Sequence, residues 1–213
     1  MEQSHAWLQL FGEQRVSKRW ALHLEAQPRR ADLGGRTPQQ TLVRTGLLYD
    51  VTPGTRLGFG HAFAHTSVYG EAPAAAPFGE HRIWQQLTLA SRTGAVTWQH
   101  RFRAEQRWLE QGGAWRFRQR ARAFTRASVD APSLGVPVKR AYLTTHGELF
   151  AQIGATPDGQ VFDQSRVAVQ GGWRFSPRLR VEAGYLQQLI QRGGSRTTEN
   201  NHTLLVSVFA TGG

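Results

Sequence analysis

The sequence predicts an all-β fold, an antiparallel transmembrane β-barrel of about 10–12 strands with an Arg-rich polar lumen and aromatic girdles. Three observations predict it. Apolar and charged residues alternate with a period of two over much of the chain. Short turns bearing Pro or Gly alternate with longer polar connections. Aromatic residues on the apolar faces gather beside the short turns.

The bounds come first. A chain of 213 residues suits a single barrel domain over 1–213. No run approaches the roughly 18 apolar residues of a membrane-crossing helix. The formal charge of +11, carried mostly by arginine, first suggests nucleic acid or an anionic surface. With no cysteine, a disulfide framework, a thiolate metal site and a cysteine nucleophile are excluded. Met1-Glu2-Gln3-Ser4-His5 lacks the basic start and apolar stretch of an export signal. The chain therefore reads as the mature part of an exported protein, beginning at Met.

The elements follow in chain order. Segment 6–16 is strand-like, but Trp7 and Phe11 conflict in face with Leu8 and Leu10. Val16-Ser17-Lys18 is a tight turn. Trp20, Leu22, Leu24 and Ala26 then oppose Arg19, His23, Glu25 and Gln27, because successive side chains of a strand point to opposite faces. Residues 28–39 read as a loop. Segments 40–51 and 55–66 read as strands joined at Thr52-Pro53-Gly54. Residues 67–80, which include Ala72-Pro73-Ala74-Ala75-Ala76-Pro77, form a long loop, and 81–91 is a further strand.

The contrast sharpens after the turn Arg92-Thr93-Gly94. Val96, Trp98, His100, Phe102 and Ala104 oppose Thr97, Gln99, Arg101, Arg103, Glu105 and Arg107. Trp115, Phe117, Gln119, Ala121 and Ala123 alternate with Arg116, Arg118, Arg120 and Arg122. On a helix those four arginines would scatter around the circumference; on a strand they form one row. Segment 128–138, with Pro132, Gly135 and Pro137, is long where a short turn is expected.

Segment 140–153 is a strand, and Pro157-Asp158-Gly159 a turn. Val167, Val169, Gly171, Trp173 and Phe175 oppose Arg166, Gln170 and Arg174. Ser176-Pro177 turns the chain. Leu179, Val181, Ala183 and Tyr185 oppose Arg180, Glu182 and Gln188. After the loop 192–200, His202, Leu204, Val206 and Val208 oppose Thr203 and Ser207. The segments number about eleven, whereas bacterial single-chain barrels have even counts. The first segment is the one in question.

Alternation alone does not say which face is inside. The aromatics do. Trp20, Tyr49, Trp98, Trp173, Phe175 and Phe209 are assigned to one membrane interface, with Tyr185, Trp108 and Trp115 placed for the opposite rim. A soluble barrel has no reason to band its outward aromatics, and about eleven strands exceed the roughly eight of a barrel filled by side chains. The expected lumen lining is Arg101, Arg103, Glu105, Arg107, Arg116, Arg118, Arg120, Arg122, Glu148, Arg166, Arg180 and Glu182. Glu25 belongs to the same charged face. Carboxylates among the arginines, and interleaved Trp and Phe, argue against a nucleic-acid segment.

The sequence resembles a bacterial family of outer-membrane β-barrels known only as a domain of unknown function. Arg101-Phe102-Arg103-Ala104-Glu105-Gln106-Arg107, Phe162-Asp163-Gln164-Ser165-Arg166, Trp173-Arg174-Phe175-Ser176-Pro177 and Glu182-Ala183-Gly184-Tyr185-Leu186 carry the resemblance. Asn201-His202 and the stretch from Trp7 to Glu25 also fit. The resemblance spans nearly the whole chain and implies a bacterial, Gram-negative outer membrane. It implies no activity. Thr211-Gly212-Gly213 departs from the usual aromatic ending.

The leading expectation is a narrow, porin-like channel for small, anionic solutes, since rings of Arg select for anions. A structural envelope barrel with a plugged lumen is the alternative. A hydrolase is the third reading: His65-Thr66-Ser67 opens a loop, and His61, His81, His100, His146 and His202 are available, but no spacing shows a nucleophile with its base. No metal site is expected, because His61 and His65 lie on one strand face about 13 Å apart. No cofactor is expected. The expected partners are the lipid bilayer, small solutes and the barrel-assembly machinery during biogenesis, without nucleic acid.

Overall fold

The computed structural model describes residues 1–70, 76–154, 159–191 and 198–213. Parts of the loops at 67–80 and 192–200, and the turn at Pro157-Asp158, lie outside the described residues. Among the described residues, eleven strands form one closed barrel: β1 (Glu2–Arg15), β2 (Trp20–Arg30), β3 (Pro38–Thr52), β4 (Thr55–Thr66), β5 (Phe78–Thr93), β6 (Val96–Gln111), β7 (Ala114–Asp130), β8 (Ala141–Ile153), β9 (Phe162–Ser176), β10 (Leu179–Gln191) and β11 (Thr198–Gly212).

Each strand pairs antiparallel with the next, and β1 pairs with β11 in parallel. The parallel seam follows from counting. When every neighbour reverses direction, the first and eleventh strands run the same way. The expected even number does not hold, and the first segment is a full strand. Its facial conflict also resolves. Trp7 points inward and is 2 % exposed, while Leu8 and Leu10 point outward.

One rim, here the turn rim, carries the short connections after β1, β3, β5 and β9. It also carries the longer β7–β8 connection, where Ala131–Leu134 form a 3-10 turn that ends on Gly135 at φ 80°. A left-handed backbone of this kind favours glycine. The loop rim carries the other connections. Among them, β6 and β7 meet in a tight turn at Gly112 and Gly113, with φ of 58° and 78°. The β2–β3 loop is folded on Asp32, whose carboxylate accepts from the amides of Arg36 at 3.1 Å and Thr37 at 2.5 Å. Those bonds, the Thr37 amide first, hold the Asp32 carboxyl down at about 2.

Strand β2 runs on through Pro28 to Arg30, where the sequence reads as a loop. Pro28 has no N–H, and the β1–β2 register skips from Trp7↔Arg29 to Leu10↔Ala26 around it. The continuation brings Arg29 into the wall.

The barrel is inside-out relative to a soluble one. On β9, Val167, Val169, Trp173 and Phe175 are exposed outward, while Gln164, Arg166 and Gln170 are buried within. Leu24, Phe59, Phe102 and Leu149 extend this apolar skin around the outside. That is the arrangement of a transmembrane barrel. Inside, among the described residues, two small apolar clusters form: Trp7, Ala168, Leu186 and Leu205, and Ala21, Leu48, Ala62 and Trp84.

Trp84 is fully buried against a glycine-lined patch of β3 and β4. A Cβ on Gly46 would lie 2.3 Å from the Trp84 ring, and one on Gly60 would lie 2.8 Å from it. Inward-facing Gly58, Gly60, Ala62 and Ala64 thus make the room that Trp84 fills.

Candidate functional site: the arginine-lined lumen

Strand parity turns the charged residues inward, where a cavity of about 700 Å³ lies within the barrel. Its walls run from Gly54 and Thr211 at the turn rim to Tyr69 and Ile190 toward the loop rim. Charges removed from water need partners, and here arginines and carboxylates alternate around the wall.

Glu105 is the hub. It accepts from Arg120 at 2.6 and 2.9 Å and from Arg122 at 2.8 Å, and Arg44 comes within 3.6 Å. Glu25 accepts from Arg44 at 2.6 Å. Glu148 joins Arg101 at 2.8 Å and Arg122 at 2.7 Å. Arg82 grips Glu80 with two bonds, 2.7 and 2.8 Å, and Arg107 bonds the same carboxylate. Nearer the turn rim, Glu182 accepts from Arg126 at 2.5 Å and from the Tyr142 hydroxyl at 2.6 Å, with Arg180 at 3.7 Å. Arg56 bridges Asp50 and Glu13 at 2.5 and 2.9 Å. Aromatic rings stack under the cations: Arg122 and Arg166 lie 4.5 and 4.7 Å from the Phe150 ring centre.

Arg101, Arg103, Arg107, Arg120, Arg122, Glu148, Arg166, Arg180 and Glu182 border the cavity. Glu105 is packed behind the arginines, 1 % exposed. Two expected lumen residues are corrected. Arg116 and Arg118 do not line the cavity, since β8 joins β7 only from Gln119 onward. Residues 114–118 therefore project from the wall as a hairpin paired with β6 alone.

Of the expected interface aromatics, Trp20, Tyr49, Trp98, Trp173 and Phe175 lie on the outer face beside the turn rim, with Trp20 and Tyr49 ring centres 4.8 Å apart. Phe209 is a further correction. Outward positions of β11 are even-numbered, and Phe209 faces the lumen, where Arg180 sits 4.1 Å from its ring centre. Trp108, Trp115 and Tyr185 are on the outer face.

Arg29, Arg44, Arg56, Arg82 and Arg126 also line the cavity and were not in the expected set. Their signal was parity within β2 to β5 and β7, weakened by the glycines, alanines and Pro28 of those strands. His61 bonds His81 at 3.1 Å on the outer wall, and among the described residues no hydrogen bond joins a serine hydroxyl to a histidine. Among the described residues, no three metal-ligating side chains cluster.

The family described as "Protein of unknown function (DUF2490)" matches residues 4–199. No curated protein matches the chain in sequence. A solved structure described as "NanC porin structure in rhombohedral crystal form" shares the fold with a TM-score of 0.51 at 9 % identity, covering 88 % of this chain and 85 % of that one.

Proposed function

Because this chain belongs to the family described as "Protein of unknown function (DUF2490)", its role has to be read from the barrel, and we propose that it is an outer-membrane channel for small, anionic solutes. One observation carries the reading: an Arg-lined cavity of about 700 Å³ reaches toward both rims of a barrel with an apolar skin. The skin suits lipid, and the porin-like fold agrees with a bacterial outer membrane. Guanidinium groups in a low-dielectric lumen lower the barrier for an anion and raise it for a cation. The role is permeation, not catalysis.

Planar-bilayer recording tests this. Discrete conductance steps and a reversal potential favouring anions in a salt gradient are expected. No discrete conductance across a range of salt would sink the channel. It would favour the second reading, a structural barrel, which the convergence of Arg44, Arg120 and Arg122 on Glu105 inside the lumen supports.

A further inference from the structure

Every buried arginine among the described residues except two has a carboxylate within 4.0 Å. The exceptions are Arg29 and Arg166, 8 % and 9 % exposed. They share one aromatic ring: their guanidinium carbons lie 4.2 and 5.0 Å from the centre of Trp7. Arg29 donates to Gln27 at 2.5 and 3.2 Å and to Gln40 at 3.0 Å. Arg166 donates to Gln164 at 3.4 Å. Amide oxygens satisfy donors without neutralising charge. Two buried cations over one indole thus lack a direct ion-pair partner, although Glu148 stands opposite Arg166 on the neighbouring strand, and burying such charges without a contacting counter-charge is costly.

Both arginines border the cavity, together with Gln39, Gln40, Gln164 and Gln188. Resting on the channel reading above, we propose that Arg29 and Arg166 form a solute site in the lumen for the carboxylate of a small hydroxylated acid. A guanidinium presents two parallel N–H donors that match a planar carboxylate. Side-chain amides both donate and accept, which suits hydroxyl groups on the rest of the solute. The anion supplies the missing counter-charge, so it binds and stabilises the barrel at once.

Thermal unfolding of the detergent-solubilised barrel, titrated with sodium gluconate at constant ionic strength, tests the site. Sodium sulfate and sorbitol serve as the inorganic-anion and neutral arms. A saturable rise of Tm with gluconate, with none from sorbitol and a smaller one from sulfate, is expected. In Arg29→Gln and Arg166→Gln the gluconate response should weaken at least tenfold in concentration. Gln164→Glu supplies an internal carboxylate beside Arg166. It should weaken the response similarly while unfolding no earlier than the wild type, and it decides the matter if the arginine variants do not fold.

No saturable gluconate response, or one unchanged in Gln164→Glu, overturns the site. A sulfate response equal to that of gluconate overturns the carboxylate assignment. A gluconate response in a barrel that shows no conductance keeps the site and removes the channel. Conductance without the response does the reverse.

Discussion

Arg120 donates twice to one carboxylate oxygen of Glu105, at 2.6 and 2.9 Å, from the position directly opposite it on the neighbouring strand. The same carboxylate also receives Arg122 at 2.8 Å. Removing one partner of a buried ionic network leaves the others uncompensated, at a cost of about 3–5 kcal/mol. Glu105→Ala should therefore lower the stability of the detergent-folded barrel by about that amount in urea unfolding. A loss below about 1 kcal/mol, the usual worth of an exposed pair, would show that Glu105 is not the hub.

Trp84 fills the space left by Gly46, Gly58 and Gly60. Trp84→Ala should cost about 3–5 kcal/mol of stability in urea unfolding. Gly60→Val should impair folding, because a Cβ there would come within 2.1 Å of the Thr45 carbonyl oxygen. A loss below about 0.5 kcal/mol in Trp84→Ala, the range of a surface substitution, would show that the indole is not packed there.

Selectivity should follow the more accessible cavity arginines. The side chain of Arg180 is 42 % exposed, and that of Arg101 is 21 % exposed. Their partners keep other cations: Glu182 retains Arg126, and Glu148 retains Arg122. The double variant Arg101→Gln/Arg180→Gln should fold and shift the reversal potential toward cations. An unshifted potential would mean that neither residue sets selectivity.

The parallel seam pairs Leu10 with Val208, both facing outward. Cysteines at these two positions should be joined by a short bifunctional thiol reagent in the folded barrel, read as a mobility shift. Leu10 paired with a cysteine at Leu204, which lies four residues out of register, should not react comparably. Equal reaction of both pairs would contradict the seam.

Asp32 is held at about 2 by bonds that favour its charged form. Its folded value lies below the ordinary 3.8, so its contribution is full above 3.8 and is lost as pH falls through about 2. A carboxyl-detected NMR titration should give a midpoint near 2. A midpoint near 3.8 would show that the β2–β3 loop does not close on Asp32.

Much of this fold was legible because period two is strict where arginine alternates with bulky apolar residues. Strands β6, β7, β9 and β10 declare both faces this way. Legibility failed where the inward residue is itself aromatic or small. Trp7, Phe209 and Trp84 look like outward residues, and only neighbouring parity and the glycines opposite Trp84 show otherwise. It failed again at Pro28, whose turn-like chemistry hid the last part of β2 and with it Arg29. Arg116 and Arg118 sit in the correct row of β7, but the length of β8 is what decides whether a row becomes a wall. Sequence period reports the face of a strand, not where its neighbour ends.

The odd strand count has a topological consequence. β1 begins at the loop rim, and β11 finishes at the turn rim. An even barrel returns both ends of its wall to one side, whereas this one delivers them to opposite compartments. Epitopes fused at the two ends would answer to antibodies or proteases applied from different sides of the same sealed vesicle.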